Sequence, residues 1–343
     1  MMFTDSPTPQ NISEGKLLSD DRFLREVAHL YYDEGQTQEN IAEAQYCSRQ
    51  TISKALQRAR DRGIVRISVI PEQRTGYLRN LARDLRLRLG LEDLILVPGR
   101  NMDEEQSSAS DVLDDIAGTA ADYLDQLLTD EDILAVSGGK DTMRQVVRYL
   151  KPTKLLPHLR IVPTIGFVRP QTSVGDANLT SFDIATAYGA KHNWLPIPAI
   201  VESEEQCEQA RALPIARDVL KIMEDANIIM TGLWPPFAQK AIFTQQKIEE
   251  ITTYNPAVDI NHWIFDNVGA CINDRLESPP YYLTGLEIPR LKEKIQQNHA
   301  RVILVAGANL KYIPAIRAAL KAGIANILIT DHVTAETLLK KPE

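Results

Sequence analysis

Seven short apolar runs, separated by helical stretches, occupy residues 91–343 and leave this part of the chain few architectures. They are LILVPG (94–99), DILAVSG (132–138), LRIVPTIG (159–166), NIIMTG (227–232), HWIFD (262–266), RVILVAG (301–307) and NILIT (326–330). Segments such as ASDVLDDIAGTAADYLDQLL and IPAIRAALKAG lie between them, with apolar residues at helical spacing. Parallel strands cannot be joined by a tight turn and need a crossover, usually a helix. The alternation therefore predicts an α/β domain with a mostly parallel sheet.

Such sheets bind ligands beyond the carboxyl ends of their strands. Three loops there carry suitable residues. In SGGKDTM, Gly138 and Gly139 let the backbone approach an anion, Lys140 adds a positive charge, and Asp141 or Thr142 begins a helix whose amides favour phosphate. VAGANLKYIPAI offers Gly307, Asn309 and Lys311, again between a strand and a helix. IGFVRPQTSVGDAN offers Gly166, Arg169, Asp176 and Asn178 in a long loop, and TGLWPPF a rigid apolar wall at Trp234. None has the spacing of a P-loop or a GxGxxG fingerprint. The same residue types also serve as plain turn glycines and surface charges.

The N-terminal region has a different pattern. From Asp20, Phe23, Val27, Leu30 and Tyr31 fall on one helix face, and Gly35 suits the left-handed residue that ends a helix. Thr37 is placed to cap a short second helix containing Ile41 and Ala42. Ser48 is placed to cap a third, with Ile52, Ala55, Leu56 and Ala59 inward. Gly63 closes it, and IVRISVI reads as a strand or wing. Residues 47–66 carry Arg49, Lys54, Arg58, Arg60, Arg62 and Arg66 against Asp61, a net +5, although the whole chain is −8. Local basic charge on an acidic chain still attracts phosphates. Three helices with a basic third predict a winged helix-turn-helix on double-stranded DNA. Arg49, Gln50, Thr51, Ser53, Lys54 and Arg58 are its candidate DNA contacts, with Gln57 on the same side. Arg and Gln can read guanine and adenine edges, while Thr37, Gln38 and Ser48 sit at helix starts that hold phosphates.

The expected organisation is a tail (1–19), a DNA-binding domain (20–70), a linker helix (71–90) with Leu78, Leu81, Leu85 and Leu89 in a stripe, and a sensor domain (91–343). Cys47, Cys207 and Cys271 are far apart and do not cluster with the six histidines, so no metal or other cofactor is expected. No apolar run approaches the roughly 18 residues that cross a bilayer, and no secretory signal is evident. A cytoplasmic location is expected.

The stretch YYDEGQTQENIAEAQYCSRQTISKALQRARDRGIVRISV resembles the N-terminal domain of the SorC family of bacterial sugar-responsive transcriptional regulators. The shared features are G-x-T-Q-x-x-I-A, S-R-x-x-I-S-K-x-L and G-I-V. Gln45 and Tyr46 depart from the family's Leu and Gly in the turn, and a non-glycine residue in a left-handed turn costs about 1 kcal/mol. LTDEDILAVSGGKDTM and VAGANLKYIPAIRAALKAGIANILITDHVTAETLL are similar to the family's phosphate-side loops. The resemblance, covering Asp20 to Leu339, implies a sugar-phosphate isomerase type of fold and a homotetramer. It also implies Thr142 and Lys311 as phosphate or sugar contacts, with Asp176 to Asn178 lining the same pocket. Phe167 and Ala270 depart from the family's glycine and carboxylate, which bears on the effector's identity. The implied function is effector-controlled operator binding. The alternative is a sugar-phosphate isomerase or deaminase with an accessory DNA-binding domain. That chemistry needs a general base and acid, and no carboxylate–histidine pair stands out by spacing.

Overall fold

The computed structural model describes residues 14–62, 64–65, 72–99, 109–139, 141–168, 176–237 and 243–340. Two compact units divide the chain, residues 1–71 and 72–343.

The first unit holds helices α1 (Glu14–Leu17), α2 (Asp21–Ala28), α3 (Gln38–Ala44) and α4 (Arg49–Asp61). Helix α1 falls inside the stretch expected to be a tail, and Leu18 joins the core, so residues 14–18 of that stretch belong to the folded unit. That core is Phe23, Leu24, Val27, Ile41, Ala42, Ile52, Ala55, Leu56 and Ala59. Helix α2 gives way to a π-helical turn, His29–Asp33, a wider winding that the apolar spacing did not reveal. The expected caps are present. Thr37 Oγ1 accepts from Asn40 N–H (3.2 Å) and Ser48 Oγ from Thr51 N–H (3.0 Å). Each such cap contributes about 1 kcal/mol. Gly35 is left-handed (φ 68°), and so is Tyr46 (φ 51°), which occupies the turn between α3 and α4 without glycine's freedom. Ile64 and Val65 pack on the core, whereas Gly63 and the rest of the expected wing lie outside the described residues.

The second unit begins with α5 (Glu72–Leu89), the expected linker helix. Leu81 and Leu85 are buried in the unit's main core, so this helix is part of the unit. There follow β1 (Asp93–Val97), α6 (Ala109–Leu127), β2 (Ile133–Val136), α7 (Thr142–Tyr149), β3 (Arg160–Pro163), α8 (Ala177–Tyr188), β4 (Lys191–His192), β5 (Ile200–Val201), α9 (Glu204–Ala212) and α10 (Pro214–Glu224). The chain continues through β6 (Ile228–Thr231), α11 (Gln245–Thr252), β7 (Pro256–Ile260), β8 (Trp263–Asp266), β9 (Tyr282–Leu283), α12 (Leu291–Gln296), β10 (Arg301–Val305), α13 (Ile313–Ala322), β11 (Ile327–Asp331) and α14 (His332–Leu339). Among the described residues β1-β11-β10-β6-β2-β3-β4 form one sheet, parallel throughout, as the alternation predicts. Alternate residues enter opposite cores. Ile133, Ala135, Val302 and Leu304 face α5, α10, α13 and α14, while Leu134, Val136, Ile303 and Val305 face α6, α7 and α8. Burying each of the Val, Leu and Ile side chains contributes about 1.5–3 kcal/mol, and the single methyl of Ala135 less.

One expected strand is elsewhere. HWIFD is β8, which pairs antiparallel with β7 in a separate hairpin. Its apolar content predicted a strand but could not say which partner it takes. Strand β4, a two-residue edge, carried no comparable run.

The sheet's strand order places the site. From β2 the chain winds outward to β3 and β4, then returns to β6 on the other side of β2 and continues to β10 and β11. Connections therefore leave β2 and β6 in opposite directions. That reversal opens a crevice above their carboxyl ends, where ligands bind in open α/β sheets.

Candidate functional site

A pocket of about 250 Å³ lies at that reversal. Strand β2 contributes Gly138, Gly139, Asp141, Thr142 and Met143 through the following turn, and β6 contributes Gly232, Leu233 and Trp234. After β10 come Gly307, Ala308, Asn309, Lys311 and Tyr312, and Leu113 of α6 closes one side.

Local geometry explains the residue types. Gly307 has φ 153°, and a Cβ there would meet Asp331 Oδ2 and Thr330 Oγ1 at 2.7 Å. Gly139 has φ 151°, a conformation that side chains disfavour. Asp331 organises the Lys311 loop from beneath. Its Oδ2 accepts from Ala308 N–H (2.8 Å) and Thr334 O–H (2.7 Å), and its Oδ1 from Thr334 N–H (2.9 Å). Ala308 is held at φ 64° by this arrangement. Asn309 Oδ1 accepts from Lys311 N–H (3.0 Å), which sets the path of the lysine.

The electrostatics suit a small anion. Helix α7 starts at Thr142, and Asp141 makes no side-chain capping bond, so the first amides of α7 have no side-chain acceptor there. Lys311 is the one cation among the described lining residues, its ammonium 5.0 Å from the Tyr312 ring centre. Asp141 is the one carboxylate, and none of them is a histidine. Trp234 and Tyr312 give an aromatic wall suited to the carbon face of a small polyol.

Behind the wall, Trp234 N–H donates to Asp259 O and Asp259 N–H to Trp234 O, both at 2.9 Å. Asp259 precedes the two-residue turn Asn261-His262, left-handed at both positions (φ 51° and 68°) and joining β7 to β8. Burial pushes the Asp259 carboxyl up to about 7, partly offset by the hydrogen bond from His262 N–H (2.8 Å). Burial also drives His262 down to about 4.

Six expected effector residues, Gly138, Gly139, Asp141, Thr142, Asn309 and Lys311, thus meet in one pocket. Gly166, Asp176 and Asn178 do not line it. Gly166 is a close-packing position, since a Cβ there would stand 1.9 Å from Ile197 O. Asp176 caps α8 through the amides of Asn178 and Leu179. Asn178 is buried and exchanges hydrogen bonds with the Leu195 backbone. Their polarity, read as ligand chemistry, is spent on local structure. Lys140 and Arg169 lie outside the described residues. Leu113 and Tyr312 were missed. Leu113 reaches the pocket from a helix distant in sequence, whereas Tyr312 adjoins the lysine and could have been included.

In the first unit, α4 exposes Arg49, Gln50, Ser53, Lys54 and Gln57. Arg49 Nε pairs with Glu39 Oε1 at 2.9 Å on the exposed surface. Thr51 departs from the expected DNA contacts because it is 5% exposed and its hydroxyl bonds Ser48 Oγ at 2.8 Å. Arg58 is turned back to the carbonyl of Leu18 (2.9 Å) and ties the N-terminal segment down. Thr37 and Ser48 keep their capping roles, and Gln38 is the half-buried first residue of α3.

Comparison with known proteins agrees with this architecture. Residues 74–340 match the family described as "Putative sugar-binding domain". The deoxyribonucleoside regulator of Bacillus subtilis is 26% identical over 324 residues, covering 92% of this chain and 96% of that protein. The sorbitol operon regulator of Klebsiella pneumoniae is 24% identical over 332 residues, covering 94% and 99%. The crystal structure of full-length SorC from Klebsiella pneumoniae superposes with a TM-score of 0.66 at 22% identity, over 93% of this chain and 99% of that one.

Proposed function

Because this chain belongs to the SorC family of transcriptional regulators with a sugar-binding domain, we propose that it is a DNA-binding regulator whose operator binding is set by a small effector in the pocket above β2 and β6. The effector is a small sugar or polyol derivative bearing one phosphate. The observation that carries this reading is the convergence of the Gly139–Thr142 turn and Lys311 at the point where the sheet's winding reverses. The α7 amides and the Lys311 ammonium receive the phosphate, while Trp234 and Tyr312 shield the carbon face. Arg49, Gln50, Ser53 and Lys54 on α4 read and hold the operator, helped by the starts of α3 and α4. The protein acts in the cytoplasm, where its operator is.

A reaction on the sugar would need a base and an acid at its carbons. The described lining offers one carboxylate, Asp141, and no histidine to pair with it, and this favours sensing over isomerase or deaminase chemistry.

A thermal-shift screen against sugars, polyols and their monophosphates tests the proposal. At 100 times its dissociation constant a true effector stabilises the folded state by about 2.7 kcal/mol. Stabilisation by a phosphorylated compound and not by its dephosphorylated form is the expected result. Equal response to both forms contradicts the anion site.

A further inference from the structure

Helix α5 presents an arginine stripe that neither the effector pocket nor the helix-turn-helix uses. Its 18 residues carry five arginines, no lysine and two acids, Glu72 and Asp84, a net +3 in a chain of −8. Leu81 and Leu85 anchor one side of the helix in the core of the second unit. Arg79, Arg83 and Arg86 are spaced i, i+4, i+7 and therefore share another flank, about 10 Å long. Arg79 and Arg83 are exposed, and Arg86 is half-buried.

The fold neutralises little of this charge. Among the described residues Arg79 has no hydrogen-bond or ion-pair partner. Arg83 Nε lies 3.7 Å from Asp84 Oδ1, but both side chains are mostly exposed, and such pairs contribute little in water. Arg86 donates one bond to the carbonyl of Glu92 at 3.2 Å, which holds its guanidinium at the end of the stripe. Like charges one turn apart repel, so the stripe does not stabilise the helix that carries it. The planar guanidinium is more weakly hydrated than an ammonium and matches the geometry of phosphate.

We propose that the Arg79–Arg83–Arg86 flank of α5 binds the phosphate backbone of the DNA on either side of the operator. The first unit ends at Pro71 and α5 starts at Glu72, so the stripe is tethered directly to the unit that carries α4. Tethering makes the second contact effectively intramolecular once the first has formed. Each DNA strand offers a phosphate about every 3.4 Å of axis, so a row of guanidiniums about 10 Å long can meet several. A second copy of this flank is the poorer occupant, because two-fold pairing would set arginine against arginine. Phosphate contacts carry no direct base information, so the stripe adds affinity and salt dependence without lengthening the recognised sequence. The inference rests on the proposed reading of the chain as a DNA-binding regulator, and adds a DNA contact made by the sensing unit itself.

Duplexes selected for binding from a random-sequence pool supply the probe. The selected site is synthesised twice: trimmed to the positions whose bases are selected, and extended at each end by two helical turns of arbitrary sequence. Fluorescence anisotropy at several salt concentrations reads the affinity for each. Wild type should bind the extended duplex several-fold more tightly and with a steeper salt slope. Arg79→Ala with Arg83→Ala should cut that advantage and leave binding to the trimmed duplex unchanged. On the extended duplex the log–log slope should become shallower by about 1.8, for two phosphates at about 0.9 each. Arg79→Lys with Arg83→Lys keeps both charges and should keep the slope. Both side chains are exposed, so the thermal midpoint and the mass by light scattering should stay at wild-type values. Equal affinity of wild type for the two duplexes overturns the proposal. So does an alanine variant that binds the extended duplex as wild type does, or that loses as much on the trimmed one. A fall in mass also overturns it, by marking the stripe as a contact between chains. Arg49→Ala should weaken binding to both duplexes alike, so the operator reading of α4 is judged on that variant and the stripe on the length dependence.

Discussion

Replacing Asp331 with asparagine tests how the pocket is built. The carboxylate is 3% exposed and accepts three hydrogen bonds, from Ala308 N–H, Thr334 O–H and Thr334 N–H. Asparagine keeps the shape but has only one accepting oxygen. If its nitrogen takes the place of Oδ2, the Thr334 hydroxyl can rotate and accept, but the Ala308 N–H faces another donor. If it takes the place of Oδ1, the cap on the first turn of α14 is lost instead. Either way one buried amide has no acceptor, at a cost of about 1–3 kcal/mol. For a large domain this lowers the thermal midpoint by roughly 3–10 °C. Loss at Ala308 also frees the left-handed residue that directs Asn309 and Lys311, so effector affinity should fall with stability. Differential scanning calorimetry with and without effector reads both effects. An unchanged midpoint together with unchanged affinity would refute the role given to Asp331.

The remaining predictions concern the operator and the buried hairpin. Arg49→Ala or Gln50→Ala should weaken operator binding by roughly 1–3 kcal/mol in a gel shift, where the side chain makes a bidentate base contact. Substituting the buried Thr51 should change thermal stability instead of sequence preference. Operator affinity should fall steeply with salt, each neutralised phosphate contributing about −0.9 to the log–log slope, despite the chain's formal charge of −8. Asp259 and His262 make opposing contributions to stability in mild acid. The Asp259 carboxyl titrates near 7 when folded but near 3.9 when unfolded, so the folded state binds more protons and its contribution falls as pH rises between those values. His262 titrates near 4 when folded and near 6.5 when unfolded, so its contribution rises with pH over that span. Asp259→Asn should therefore leave stability rising from about pH 4 to 6.5 more steeply than in wild type, measured by urea denaturation. A variant whose profile parallels the wild type's contradicts this balance.

How much of this was legible in the sequence depended on whether a residue's neighbours are near it in the chain. Thr37 and Ser48 were readable as caps because a cap bonds an amide three residues on. The parallel strands were readable from short apolar runs, since strands covered on both faces need them. HWIFD shows the limit, because a run of apolar residues does not specify which strand it pairs with. Thr51 was misread although the signal was present. It lies four residues before Ala55 and beside Ile52, and therefore on the inner face of α4. In the pocket, the Gly138–Thr142 turn and Lys311 could each be named from the local pattern, and the family resemblance implied that Thr142 and Lys311 serve one ligand. That they meet follows from β6 intervening between β2 and β10 in the sheet, a long-range fact. Asp176 and Asn178 had the right chemistry for a ligand, but nothing local reveals that a cap and the Leu195 backbone use it.

In the proposed mechanism one pocket of the second unit senses the effector and thereby sets DNA binding by the first. A ligand can shift the equilibrium between DNA-binding and released states only by its differential affinity for them. Calorimetric titration of wild type and of a Thr142→Val, Lys311→Ala variant, each paired with operator binding with and without effector, tests this directly. The variant should bind the operator as tightly as wild type in the absence of effector, while losing both effector affinity and the effector's influence on operator binding. Unchanged effector affinity in a folded variant would contradict the account and place the pocket elsewhere.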